Sequence, residues 1–211
     1  MDPSFYDSAY YLAGLASGKS NYVDYSWKPD LTLPMADWLK RILRIKDGDT
    51  LLDFGCARGY LVKALRMRGV NAFGYDSSEW AVENCDEGVK GYVSNVLPDE
   101  RFDHIIAKDC LEHILLDQLR PLIKQLTAAT RKHLLAIVPL THHPDGPYLR
   151  DEDNSDPSHC NAWPLDMWMD LMREGVSLDE GYITGSWHYP GLKPASGMVD
   201  KSCGFLQFTR V

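Results

Sequence analysis

The chain has 211 residues, 45% of them hydrophobic, and a net charge of -8. That suits one domain with a real buried core and argues against a broad phosphate-binding face, because nucleic-acid binders carry a basic stripe. Its five cysteines are odd in number and widely spaced, with no C-x-x-C pair, so neither a disulfide framework nor a zinc site is suggested and a reducing compartment is inferred. No apolar run approaches the ~20 residues that span a bilayer, and the acidic, tyrosine-rich start lacks the order of a signal peptide. A cytoplasmic protein with no membrane partner is expected.

Residues 1 to 30 carry Tyr11, Tyr22, Tyr25 and other aromatics among glycine, serine and aspartate. They read as a short helix and a loop, suited either to a lid over a site or to covering the edge of the core. The next segment has Thr32 as a candidate N-cap with Pro34 just inside. Apolar residues then recur in helical period at Met35, Trp38, Leu39, Ile42 and Leu43. Arg41, Arg44, Lys46, Lys63, Arg66 and Arg68 have the spacing of solvated helix faces.

The stretch Leu51 to Leu61, LLDFGCARGYL, is the most informative. It reads as a buried strand, a tight glycine turn and a helix start. A dinucleotide fingerprint would need glycine at Ala57 and again at Tyr60, so that spacing is absent. The helix after the turn runs to about Arg68. Val70 to Asp76 is a second strand ending in an acid, 23 residues after Asp53.

Strand, acid and glycine turn resemble motif I of the class I S-adenosylmethionine (SAM) dependent methyltransferases, with Asp53, Gly55 and Gly59 matching and Ala57 in place of the middle glycine. The resemblance implies that Asp53 orients the methionine ammonium. It also implies that the turn Gly55, Cys56, Ala57, Gly59 passes under the cofactor. Asp76, followed by Ser77, would accept hydrogen bonds from the ribose hydroxyls, although an acid in this place can equally cap the next helix. After a short third strand at Gly91 to Val93, many relatives place an adenine-binding aspartate. This chain has Ser94 and Asn95, and asparagine supplies an acceptor for the adenine amino group.

Residues 101 to 116, RFDHIIAKDCLEHILL, resemble the fourth strand and following helix of the same family's small-molecule members. Lys108 and Asp109 would then end the strand over the cofactor, and Glu112 and His113 would begin the helix. His113 is a candidate general base or a buried structural histidine. A helix from Gln118 to Lys132 and a fifth strand from His133 to Pro139 follow. An insertion from Thr141 into the region of residue 163 then departs from the rhythm. It sits where open α/β sheets bind ligands and is expected to roof the substrate, with His142, His143, Asp156 and His159 as candidate contacts and His159 as a second candidate base. His113, His159 and the acids together can make a hard-metal site, but no compact ligand spacing supports one, and no metal is expected.

The chain closes with a helix from Leu165 to Glu174, a strand from Ser177 to Trp187, a connection from Tyr189 to Cys203 and a strand from Gly204 to Val211. In the family this last strand is antiparallel to the rest. The expected fold is therefore one α/β domain over 1–211: a doubly wound, mostly parallel seven-stranded sheet with an antiparallel last strand and helices on both faces. An aromatic cap over 1–30 and the roof insertion over 141–163 decorate it. The resemblance implies SAM-dependent methyl transfer to a small polar molecule such as a sugar or secondary metabolite, at oxygen or nitrogen rather than carbon. A nucleic-acid or protein methyltransferase and a non-catalytic SAM-binding protein are the alternatives. Nothing resembles the D/N-P-P-Y motif of amino-methylating DNA enzymes.

Overall fold

The computed structural model describes residues 2–176, 179–186 and 202–211. Within them one sheet holds β1 (Thr50–Phe54), β2 (Asn71–Tyr75), β3 (Val93–Ser94), β4 (Phe102–Lys108), β5 (Thr130–Pro139), β6 (Gly181–Ser186) and β7 (Cys203–Arg210), in the order β3-β2-β1-β4-β5-β7-β6. Strands β1 to β5 are mutually parallel, and β7 runs antiparallel to both β5 and β6, as the resemblance implied. The apolar runs have no polar alternation because both faces of the sheet are covered. Leu51, Ile106, Leu135 and Ile137 face one core. Leu52, Phe54, Ile105, Ala107, Leu134, Ala136 and Val138 face the other.

Helices α2 (Pro29–Ile42) and α3 (Tyr60–Met67) cover the first face through Trp38, Leu39, Val62 and Leu65. Helices α5 (Leu116–Ala129) and α6 (Leu165–Glu174) cover the second through Leu119, Ile123, Trp168 and Met172. Ahead of them stands α1 (Ser8–Ser17), capped by the Asp7 carboxylate accepting from the Tyr10 amide at 3.1 Å and closed by Gly18 at φ +69°. A one-turn helix, α4 (Glu79–Glu83), follows β2. Strand β1 pairs with β2 on one side and β4 on the other, so the order reverses there and a crevice opens beyond the carboxyl ends.

Several boundaries differ from the expected ones. Helix α2 starts at Pro29, whose fixed φ suits a first helical position, and Thr32 instead donates from its side chain to the Lys28 carbonyl at 2.9 Å. Glu112 and His113 lie in a single 3-10 turn, Leu111–His113, and α5, expected from Gln118, begins at Leu116. Helix α5 ends at Ala129 and β5 starts three residues before His133, because Arg210 of β7 donates to the carbonyls of Thr127 and Thr130 at 2.6 and 2.7 Å. Most of the connection between β6 and β7, and residues 177, 178 and 187 of the expected sixth strand, lie outside the described residues. Among the described residues no helix is long and apolar enough to cross a membrane.

Candidate active site

The turn after β1 has left-handed backbone at Gly55 (φ +80°), Ala57 (φ +48°) and Gly59 (φ +74°). A Cβ on Gly55 would stand 2.6 Å from Cβ of Cys110, and one on Gly59 would stand 2.9 Å from methyls of Val89 and Val93. Both glycines are therefore demanded by packing as well as by backbone conformation. Ala57 carries a Cβ in a conformation glycine prefers, and its amide is held there by donating to Asp76 Oδ2 at 2.7 Å.

Asp76, at the end of β2, is 7% exposed. Its other oxygen accepts from the Ser78 amide at 2.9 Å. Ser78, not Asp76, caps α4, accepting from the Ala81 amide at 3.0 Å, so the plain helix-cap alternative does not account for the acid. Ser77 is exposed, Ser94 accepts from the Val96 amide at 3.0 Å, and Asn95 is exposed beside it.

Asp53 is 3% exposed, and among the described residues none hydrogen-bonds its carboxyl. Burial pushes it up to about 7, with Asp76 adding to the rise and Lys108 opposing it. Lys108 pairs with Asp109 at the end of β4. A buried acid without a donor is costly, and a cation at this position offsets that cost.

The N-terminal tyrosines form a layer over this crevice. Tyr11 stacks on Trp80 with centroids 5.5 Å apart, Tyr25 stacks on Tyr60 at 5.4 Å, and Tyr22 meets Tyr25 edge-on at 4.9 Å. The Tyr25 amide donates to the Tyr11 carbonyl at 2.8 Å. Arg58 fastens the layer to the glycine turn by donating to the Tyr25 carbonyl at 3.1 Å. Tyr25 lies within electrostatic reach of Asp53 and Asp76. Tyr22 is 36% exposed and lies within electrostatic reach of Lys108, Asp109, Asp156 and Glu112, and burial pushes its phenol up to about 12.

A second group of polar side chains gathers around His113. Tyr10 donates to Asp156 at 2.9 Å, Ser158 donates from its hydroxyl to the same carboxylate at 2.5 Å, and His113 Nδ1 meets Ser158 Oγ at 2.8 Å. The His113 and His159 rings are 4.6 Å apart, and the Nε2 atom of each stands 4.0 Å from Oε1 of Glu112, which is 1% exposed. Burial, with His159 contributing, lowers His113 to about 4. The fold thus joins His113, His159 and Asp156, which the sequence singled out, to Tyr10, Ser158 and the carboxyl of Glu112, which it did not. His142 and His143 are exposed, with rings 6.2 Å apart, and among the described residues no ring contact joins them to the His113–His159 pair. Arg58 was findable from its place inside the turn; the Tyr10–Asp156 link joins residues 146 positions apart and leaves no local signal.

The sequence matches the family described as methyltransferase domain over residues 28–175. It is 31% identical over 97 residues to a ribosomal protein L11 methyltransferase of Neisseria gonorrhoeae, a match covering 42% of this chain and 31% of that relative. The match thus spans about a third of the curated relative's length. A SAM-dependent methyltransferase of Archaeoglobus fulgidus has a similar structure, with a TM-score of 0.61 at 16% identity over 83% of this chain and 93% of that one. The plantazolicin methyltransferase BpumL, solved in complex with S-adenosylhomocysteine (SAH), gives 0.58 at 13% identity over 86% of this chain and 83% of that one. At these identities the likeness is one of fold.

Proposed function

The chain belongs to the methyltransferase domain family, with SAM as its cofactor, and from this premise we propose that it transfers the SAM methyl group to an oxygen or nitrogen of a small polar molecule such as a sugar or secondary metabolite. The observation that carries the reading is the buried carboxyl of Asp53 near Asp76, which no described residue hydrogen-bonds, together with the His113–His159 group. In this reading Asp53 takes the methionine ammonium by a charge-assisted bond. Asp76 uses its remaining lone pairs for the ribose hydroxyls, and Ser94 and Asn95 meet the adenine. SAM brings the electrophile, so the protein has chiefly to align the acceptor and, for a hydroxyl, to help remove its proton.

His113 is placed for that removal. Ser158 spends its own proton on Asp156, so its oxygen accepts from His113 Nδ1–H, and Nε2 is left with a free lone pair. Tyr11, Tyr22, Tyr25 and Asp156 line the acceptor side, with Lys108 and Asp109 between the two halves.

A protein acceptor is the second reading, favoured by the ribosomal-protein methyltransferase among the relatives. Incubation with methyl-labelled SAM separates the two. Label is expected in members of a panel of sugars, phenols and amines; label confined to ribosomal protein would favour the second.

Asp53 gives a pH-dependent prediction. Its folded value near 7 lies above the unfolded value of about 4, so its contribution to stability is present below about 4 and is lost as pH rises towards about 7. Asp53→Asn is therefore expected to raise the unliganded melting temperature at pH 8 by roughly a few degrees and to weaken SAH binding by about tenfold. In the unsubstituted protein SAH affinity should rise between pH 6 and pH 8, as the carboxylate forms, and this rise should vanish in the variant. Unchanged SAH affinity in Asp53→Asn at pH 8 would remove the ammonium role.

A further inference from the structure

Glu112, His113 and His159 bring three ligand atoms within 4.8 Å of one another. Among the described residues no hydrogen bond joins the three side chains to one another. Glu112 Oε2 and His159 Nδ1 are buried and have no hydrogen-bond partner among the described residues, and the two side chains are 1% and 8% exposed. Carboxyls this buried are normally bonded, paired or bound to an ion.

The support behind His113 points the same way. Tyr10 and Ser158 both donate to Asp156, which leaves Ser158 Oγ to accept from His113 Nδ1–H. The ring is thereby fixed with its Nε2 lone pair on the Glu112 side. A metal-ligating imidazole is usually braced in this way through its other nitrogen. A cation between the three groups would meet the carboxylate and the Nε2 lone pairs of both imidazoles together.

We propose that Glu112, His113 and His159 bind a first-row divalent metal ion of the zinc type, with its remaining coordination positions open towards Tyr22 and Asp109. Two imidazoles with one carboxylate favour such an ion over magnesium or calcium, and three protein ligands leave a place for water or a substrate atom. Ligand atoms around a tetrahedral ion stand roughly 3.3 Å apart, so the three groups close by a fraction of the present 4.0 Å spacings when the ion enters. The expectation of no metal rested on spacing in sequence, and the fold supplies the proximity across 46 residues.

The ion's role rests on the methyl-transfer reading, whereas its binding does not. Bound to the ion, an acceptor hydroxyl loses its proton to water, its oxygen pair forms the new bond to the methyl carbon, and the carbon–sulfur pair stays on sulfur to give SAH. In that case His113 acts as a ligand rather than as a bare base.

The test uses the full chain stripped with a chelator and titrated with Zn2+ by calorimetry and with Co2+ by visible absorption. One equivalent of Zn2+ with micromolar or tighter affinity is expected, together with Co2+ bands of a four- or five-coordinate site. The double variant His113→Ala/His159→Ala should lose at least 100-fold in Zn2+ affinity while keeping SAH affinity. If the double variant does not fold, two paramagnetically shifted imidazole N–H signals are expected from the Co2+ form of the unsubstituted protein. No zinc binding, zinc binding unchanged in the folded double variant, or no shifted imidazole signals would overturn the proposal. SAH titration of the same stripped protein tells the two readings apart, since SAH binding without zinc removes the metal alone and zinc binding without SAH removes the methyl-transfer reading alone.

Discussion

Replacing Asp76 with alanine is expected to weaken SAH binding by roughly 10- to 100-fold, the loss of one or two hydrogen bonds to a charged group. The carboxylate has two jobs in the geometry. It holds the Ala57 amide at 2.7 Å and the Ser78 amide at 2.9 Å, and in the proposed reading it also receives the ribose hydroxyls. The first job matters because Ala57 sits in left-handed backbone at φ +48°, where a residue with a Cβ costs about 1 kcal/mol. Without the anchoring bond the turn is free to relax away from the cofactor. Asp76→Asn should fare no better, because its amide must present a donor to one of two backbone donors. The measurement is calorimetric titration of both variants with SAH, beside their thermal unfolding. An Asp76→Ala variant with unchanged affinity would remove the ribose assignment.

Replacing His113 with alanine is expected to lower turnover by about 100-fold or more, the range for loss of an acid–base group, while SAH affinity stays within about twofold. The split follows from position. His113 touches Ser158, Tyr6 and His159 and lies near Glu112, and among the described residues none of these contacts is to Asp53, Asp76 or the glycine turn. His159→Ala should move in the same direction. Both expectations hold whether the imidazoles work as bare bases or as ligands of an ion; the Zn2+ titration tells these apart. Equal turnover in His113→Ala and the parent protein would return the histidine to a structural role, holding Ser158 and the Tyr6 ring in place.

How far the sequence could be read depended on the range of the interaction that decides each feature. The strand, turn and helix over Leu51 to Leu61 were legible because apolar period and glycine both act locally, and Gly55 and Gly59 do take positive φ. Helix α6 was placed at both ends, Leu165 and Glu174. The end of α5 was not, since Arg210, some 80 residues on, takes the carbonyls that a longer helix would have used. Thr32 carries the composition of a cap, but Pro29 offers a better first position and the helix begins there.

The same division runs through the site. Asp53 and Asp76 could be placed from their strand ends, because register alone brings both to the crevice. The tyrosine layer was legible in composition but not in arrangement: which ring stacks on Trp80 and which on Tyr60 depends on a loop without period. Glu112 read as part of a helix start, and its burial beside two imidazoles emerges only when the roof segment folds back. The contact that fastens that segment is the amide of Cys160 donating to the Glu112 carbonyl at 2.8 Å. The side-chain amide of Asn161 adds to it, donating from Nδ2 to the Ile114 carbonyl at 2.6 Å. No spacing rule encodes these contacts.

The most direct test of the whole account is calorimetric titration of the purified chain, stripped of bound ligand, with SAH and separately with NADH. The account predicts micromolar binding of SAH in a one-to-one ratio and none of NADH, since the turn lacks a dinucleotide glycine pattern and Asp53 awaits an ammonium. Tight NADH binding, or folded protein that binds neither, would contradict it.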